Sequence, residues 1–391
     1  MAKIAIMGFG TVGSGVLEVC RRNAASIARR AGEPVEVKYI LDVRDFSDSP
    51  DAALFVKDIN VILNDPEVKV VVETIGGTRF AYPYVRQCLE SGRSVCTSNK
   101  EMVATYGAEL LALAREHKAA FLFEASVGGG TPIITPMHQC LAANRFSRIA
   151  GILNGTTNYI LSRMDAEGAD YTDVLADAQA KGYAEADPTQ DLNGGDIRRK
   201  LVISANIAFG CVLDEREVAV MGIEALRAAD IAAFRRMGRV CKLVAGARKL
   251  PDGVAAYIEP ALFPPSAHEA AVPENFNLIS LTGLHIGKQS FYGQGAGRYP
   301  TAYNVLQDCV DVRNGLHHFY TSALRPAHVD NRSIARPYYV RTEGIDKWLQ
   351  SHIDKILDCG IITEPVTVTE IHQWAQERKQ TGAECFFASL R

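Results

Sequence analysis

Short apolar runs alternate with stretches of helical periodicity over the first part of the chain. Ile4 to Met7 is an apolar run of strand length, and after a glycine-rich turn Val12, Val16, Leu17 and Cys20 recur at helical spacing. Further strand-like runs follow in VEVKYILDV, VKVVVETIGG (68–77), SVCTSNK (94–100) and AAFLFEASVGGG (119–130), with helical patterns at 80–91 and 102–117 between the later ones. Strands alternating with helices predict βαβ units and a parallel sheet. Each run ends in small or polar residues, at the edge where an open parallel sheet presents its ligand site.

The pattern then changes. GILNGTTNYIL (151–161) holds Asn154, Gly155 and Thr156 between apolar runs, where loop donors could meet an anion or TTNYILSRM could start a capped helix. GGDIRRKLVISANIAFG predicts a helix starting just after Gly195, with Ile197, Leu201, Ser204 and Ala205 along one side. Before it, KGYAEADPTQDLNGGDIRRK (181–200) crowds Glu185, Asp187, Asp191 and Asp196 among glycines and a proline, then ends on Arg198, Arg199 and Lys200. Five prolines between 251 and 273 mark connecting segments around a strand such as VAAYIEP. GQGAGRYPTA (293–302) precedes a last long helical pattern, and after RPAHVDNRS (325–333) a shift in composition opens a tail of strand-like and helical pieces.

With 391 residues the chain is long enough for two or three domains. Hydrophobic residues at 47% and charged residues at 22% exclude a disordered chain. A net charge of −3 without a basic block argues against a nucleic-acid or anionic-membrane surface. The nine cysteines are scattered without a C-x-x-C pair, as in reduced proteins. With no signal-peptide pattern and no apolar run of bilayer length, the expectation is a soluble cytoplasmic protein.

Gly8, Gly10 and Gly13 form G-x-G-x-x-G between a strand and a helix, the context in which the motif holds a dinucleotide. The first glycine permits the turn, the second lets the backbone approach a pyrophosphate, and the third packs helix on strand. The helix N-terminus offers N–H groups to the anion. At the end of the second strand, Asp42 suits the 2′-hydroxyl of NAD and Arg44 the 2′-phosphate of NADP; both are present, so the choice between NAD and NADP stays open. Lys100 in TSNKE lies at another strand end, either beside the cofactor and substrate or as a surface lysine at a helix start. Asp196 and Lys200, four apart, share a helical face. Such a pair can hold an ammonium for proton transfer, or it can be an ordinary exposed salt bridge.

The ordered motifs GFGTVGSG, ETIGG, TSNKE, EASVGGGTPII, GILNGTTNYIL, KGYAEADPTQDLNGGDIRRK and GQGAGRYPTA, over residues 3 to 323, resemble the homoserine dehydrogenase family. That resemblance implies reversible NAD(P)H-dependent reduction of L-aspartate 4-semialdehyde to L-homoserine, between aspartate and threonine or methionine. The fold it implies is α/β. A Rossmann-like parallel-sheet cofactor domain (1–130 plus about 295–323) would join an α+β substrate and dimerisation domain (131–294) and a short divergent ACT-like C-terminal region (324–391). It implies Lys200 as proton donor, with Asp196 and Lys100 beside the reaction. Gly182, Tyr183, Glu185, Asp191, Asp196 and Thr156 would bind substrate. Thr11, Val12, Thr74, Gly76, Ser98 and Gly295 would join the three glycines, Arg44 and Lys100 at the cofactor. Carbonyls around Glu124, Val127, Gly129 and Thr131 would hold a monovalent cation, sodium, and the protein would be a homodimer or higher homo-oligomer.

Asp187 before Pro188 has the pattern of a turn cap, and Asp191 of either a pocket acid or a helix cap. His317 and His318 point apart on a helix and are assigned to structure. Some homoserine dehydrogenases end in an ACT regulatory domain of ββαββα-type order, and RPYYVRTE stands where its first strand would. No P-G follows it, so a packing or dimerising remnant is expected over a threonine sensor. Two other functions stay open. One is another dehydrogenase of a small amino-acid-like substrate, of aspartate-semialdehyde or saccharopine type; acylating chemistry would need a nucleophilic cysteine, and Cys96 lies inside an apolar strand. A non-catalytic NAD(P)-binding sensor would have no need to keep Lys100, Glu185, Asp196 and Lys200.

Overall fold

The computed structural model describes residues 2–320 and 324–391. Its backbone divides into two compact units, Met1–Ala142 with Gln294–Leu324, and Ala143–Gly293 with Arg325–Arg391. The end of the expected returning segment, 321–323, lies outside the described residues.

The first unit holds a six-stranded sheet: β1 (Ala2–Met7), β2 (Val35–Leu41), β3 (Phe55–Val56), β4 (Val68–Glu73), β5 (Ser94–Thr97) and β6 (Phe121–Leu122). The spatial order is β3-β2-β1-β4-β5-β6 and every ladder is parallel. This doubly wound order reverses between β1 and β4, which puts a ligand crevice beyond their C-terminal ends. Ile4 to Met7 and Val70 to Val72 are buried at every position. Strands covered on both faces have no solvent side to alternate with, so they read as unbroken apolar runs.

The strand expected over 119–130 stops at Leu122. The Glu124 N–H donates to the Asp308 side chain (2.9 Å) and the Ser126 N–H to the Phe123 carbonyl, so the ladder ends there and Ala125–Gly128 makes one helical turn. The helix Arg298–Arg313 returns to this unit and packs on Thr11–Arg22. A Cβ on Gly15 would lie 2.8 Å from the Arg298 carbonyl oxygen, so only glycine admits that approach.

In the second unit a ten-stranded mixed sheet carries the helices Gly155–Glu167 and Gly195–Phe209. From one edge it runs Gly287–Gln294, Phe276–Gly283, Phe146–Ile152, Val240–Leu250 and Gly253–Phe263, then continues through the tail strands Cys385–Leu390, Tyr338–Thr342, Gly360–Thr363 and Ile353–Leu357; the tenth, Ala219–Val220, pairs with Gly253–Phe263 off this run. Gly253–Phe263 meets Cys385–Leu390 in parallel, while the described ladders between tail strands are antiparallel. The tail's main strands and helices follow the order β-α-β-β-α-β, a split βαβ arrangement, instead of ββαββα. Asp346 explains the difference, because its side chain caps the one-turn helix Lys347–Gln350 directly after Tyr338–Thr342.

Candidate active site

The crevice beyond β1 is built by the glycines. Gly8 has φ of +90°, and a Cβ there would press within 2.9 Å of the Ile75 backbone. A Cβ on Gly13 would fall 2.0 Å from the Gly8 carbonyl oxygen, so the helix can start against the turn only without one. Gly10 faces open space, the approach a pyrophosphate needs. Thr11 and Val12 follow it at the start of Thr11–Arg22, whose N-cap makes no side-chain bond to the first N–H groups. These features fit a dinucleotide phosphate at the helix N-terminus. Thr74 locks the turn by donating its hydroxyl to the Gly8 carbonyl (2.8 Å).

At the end of β2, the buried Asp42 carboxylate accepts from the Phe9 N–H (2.7 Å), the Arg44 N–H (2.9 Å) and the Arg44 guanidinium (2.8 Å). Burial alone would raise its pKa, but the bonds from Arg44 and Phe9 outweigh that and hold it at about 2. The Arg44 side chain is 57% exposed, and Lys57 donates to the Asp42 carbonyl (3.0 Å) and the Arg44 carbonyl beside it. Asp42 and Arg44 therefore act as one ion pair.

Past β4 and β5, an acid the sequence reading left without a role organises the loops. Glu73 is fully buried and accepts from the N–H groups of Ile75 (2.8 Å) and Gly76 (3.2 Å) and from the Thr97 hydroxyl. Burial raises its carboxyl above the usual range against the pull of those donors. Asn99 caps the helix Lys100–Glu116 and donates to the Gly77 carbonyl (2.6 Å), so the half-buried Ser98 and Lys100 are fixed relative to the exposed Gly76. Cys96 is fully buried, and burial, then the neighbouring Cys309, push its thiol well up, the reverse of an activated nucleophile.

In the 124–131 loop, the Glu124 carboxylate accepts from the N–H groups of Ile133 (2.6 Å), Ile134 (2.9 Å) and Thr135 (2.6 Å). It binds the start of the helix Ile134–Cys140 and leaves any cation to backbone carbonyls. The Gly129 carbonyl accepts from Asn304 (2.6 Å), Val127 and Thr131 are buried, and Gly129 lies so close to Gly295 that a Cβ would come within 2.3 Å of its oxygen. His317 gives its carbonyl to the Phe121 N–H, and among the described residues no group of three His, Cys, Asp or Glu is placed to hold a metal.

The acidic stretch folds around the helix Gly195–Phe209, which starts at Gly195 itself because Gly194 takes a left-handed φ of +83°. Asp196 and Lys200 are 3% and 7% exposed, and their Oδ2 and Nζ are 2.8 Å apart. The pair is a buried one, which excludes the exposed salt bridge. Lys200 also donates to the Leu153 carbonyl (2.8 Å). Asn154, next in the chain, donates its amide to Asp191 Oδ1 (2.7 Å) and Asp196 Oδ2 (2.9 Å). The same side chain caps the helix Gly155–Glu167 by accepting from the Thr157 N–H (2.8 Å). Asp191 thus faces the pair, and Asp187 caps a turn by accepting from Thr189.

Gly182, Tyr183 and Glu185 lie on an exposed loop. The Thr156 hydroxyl donates to the Tyr183 carbonyl (2.6 Å) and the Tyr183 ring meets Tyr159 edge-on, which ties the loop to the helix Gly155–Glu167. The chain thus presents a buried acid, amide and lysine with a second, half-buried acid beside them, able to receive an ammonium and move a proton.

Residues 8–124 match the family model described as homoserine dehydrogenase, NAD binding domain, and residues 132–310 match the homoserine dehydrogenase model. The homoserine dehydrogenase of Pseudomonas aeruginosa is 42% identical over 315 residues, 79% of this chain and 72% of that protein. That of Bacillus subtilis is 37% identical over 318 residues, 80% of this chain and 73% of its own. A homoserine dehydrogenase structure from Thiobacillus denitrificans superposes with a TM-score of 0.89 at 33% identity, covering 100% of this chain and 98% of that one. A hyperthermophilic archaeal homoserine dehydrogenase in complex with NADPH gives 0.68 at 26% identity over 79% of this chain and 97% of its own. With matches at these identities over most of its length, the chain belongs to the homoserine dehydrogenase family, NAD(P)-dependent oxidoreductases acting on a CH–OH group.

Proposed function

We propose that this chain interconverts L-homoserine and L-aspartate 4-semialdehyde, with Lys200 as the proton donor and acceptor. The bound nicotinamide supplies or takes the hydride. In the reductive direction the Lys200 ammonium gives its proton to the carbonyl oxygen as the aldehyde carbon is reduced, and water reprotonates the amine. Asp196 and the Leu153 carbonyl orient Nζ, and Asp196, Asp191 and Glu185 receive the substrate ammonium. Thr156, Gly182 and Tyr183 frame its amino-acid end, and Lys100 stands at the cofactor side. The observation that carries this reading is the buried Asn154–Asp196–Lys200 cluster with the half-buried Asp191 bonded to it, charge that a solvated surface helix would not enclose. Homoserine oxidation followed by reduced-cofactor absorbance tests it. Lys200→Ala is expected to lose about two to four orders of magnitude in kcat with cofactor binding intact, and unimpaired turnover would overturn the role.

NADP is the preferred cofactor in this reading. Asp42 is already bonded by Arg44 and Phe9, while the exposed Arg44 guanidinium and Lys57 offer positive charge to a 2′-phosphate. Arg44→Ala should raise KM for NADP roughly tenfold and leave KM for NAD near its starting value. A sodium ion would be held by carbonyls at Glu124, Val127, Gly129 and Thr131, and no step runs through it. A cytoplasmic homodimer serving threonine and methionine synthesis completes the reading.

A further inference from the structure

We infer that Asn154 is a positioning residue, a neutral bracket that holds the carboxylates of Asp191 and Asp196 together so that both can accept from one substrate ammonium; this rests on the substrate reading above. The three side chains come from separate pieces of chain. Asp191 is on the short helix Thr189–Leu192, Asp196 on the first turn of Gly195–Phe209, and Asn154 at the start of Gly155–Glu167. Two like charges brought together repel, and each raises the other's pKa. The 4% exposed Asn154 opposes this by giving its amide nitrogen to both, at 2.7 and 2.9 Å.

Its orientation is fixed from the other end. Oδ1 accepts from the Thr157 N–H (2.8 Å) and hydroxyl (3.0 Å), so a flipped amide would set its oxygen against two carboxylates and its NH2 against an N–H donor. The same two residues of chain hold the lysine, since the Leu153 carbonyl accepts from Nζ while Asn154 holds that lysine's acid partner. An arginine or lysine at 154 could bridge the acids too, but its charge would cancel the field that draws the substrate ammonium. An amide bridges them and leaves their charge in place.

The test uses Asn154→Asp and Asn154→Ser in the full chain. The aspartate variant keeps the acceptor toward Thr157 and sets a third carboxylate against the other two. The serine variant keeps a competent helix cap and removes the bracket. Both are expected to lower kcat/KM for homoserine roughly tenfold to a hundredfold, mainly through KM, with NADP affinity near wild type and a lower Tm for Asn154→Asp, which encloses a third carboxylate. For Asn154→Asp the deficit should shrink as pH falls, because protonation of the introduced carboxylate restores one hydrogen-bond donor toward the two acids. The inference is overturned if both variants turn over like wild type while Lys200→Ala is inactive. It is also overturned if activity is lost only in proportion to lost folding, with a pH-independent ratio to wild type. An active Lys200→Ala would bring down the substrate reading first, and this inference with it.

Discussion

Lys242, on the strand Val240–Leu250, is 2% exposed and donates to Asn158 Oδ1 (2.9 Å), Ser162 Oγ (3.0 Å) and the Val272 carbonyl (2.6 Å). Asn158 in turn donates to the carbonyls of Glu274 (2.8 Å) and Phe276 (3.0 Å), so one lysine and one amide pin a loop to the helix Gly155–Glu167. Among the described residues no carboxylate bonds the ammonium, and burial pushes its pKa down from 10.5 to about 8. Between those values the unfolded chain carries a proton that the folded chain has released, so stability rises with pH across that window. Below about pH 8 both states are charged and the full cost of burying the charge is present. The effect is worth about 3 kcal/mol. Buried thiols such as Cys88 are raised in the fold and act in the opposite sense, but a comparison with Lys242→Met removes what the two proteins share. Denaturant titrations at pH 7 and pH 10 should therefore show wild type gaining on the variant by that amount. A pH-independent difference would mean that the lysine keeps its ordinary pKa in the fold and stays charged in both states across that range.

At the scale of elements, the glycine turn separates folding from binding. Gly10→Ala adds a methyl where nothing lies within 4 Å, at an ordinary φ of −81°, so Tm should hold while NADP affinity falls at least about tenfold through a lost phosphate approach. Gly13→Ala drives a Cβ against the Gly8 carbonyl, so it should lower Tm and soluble yield as well as binding. Melting curves and a cofactor titration on the pair check this; equal losses of Tm would refute it. The turn was legible in the sequence because it is local, a strand period, three glycines and a helix period in succession. The i,i+4 spacing of Asp196 and Lys200 was legible for the same reason. What Asn154 faces was not: a loop donor toward an anion and a capped helix start were both open, and the side chain caps the helix while its amide points at two acids that packing brings from elsewhere in the chain. Glu73 was hidden likewise, since nothing in VKVVVE says that the last acid turns inward to accept from the loop after it.

For the whole molecule, the informative acid is Glu259, fully buried on Gly253–Phe263. It pairs with Arg336 (3.1 Å) and Arg391 (3.1 Å), both from the tail, with His372 Nε2 3.4 Å away and the Tyr338 hydroxyl donating to it at 3.3 Å. Burial would raise its carboxyl, but His372, Arg391 and Arg336 together hold it below the usual range. The tail strand Cys385–Leu390 lies beside Gly253–Phe263, and the Arg391 N–H bonds to the Leu262 carbonyl (3.0 Å). A composition shift near 325 suggested an added region, because sequence pattern does not report pairing between strands that are far apart in the chain. The pairing makes the tail part of the second unit's core. Ending the chain after Leu324 would leave Glu259 without these cations and open a long strand edge, a template for aggregation. Removing one partner of a buried ion pair costs about 3–5 kcal/mol, so Arg336→Met should lose that much in denaturant titrations, and the truncated chain should not accumulate as soluble protein. Glu259→Gln, which keeps the shape and drops the charge, should restore little solubility to the truncated chain, because the open edge remains. A soluble, homoserine-oxidising 1–324 protein would show instead that the second unit closes without its tail.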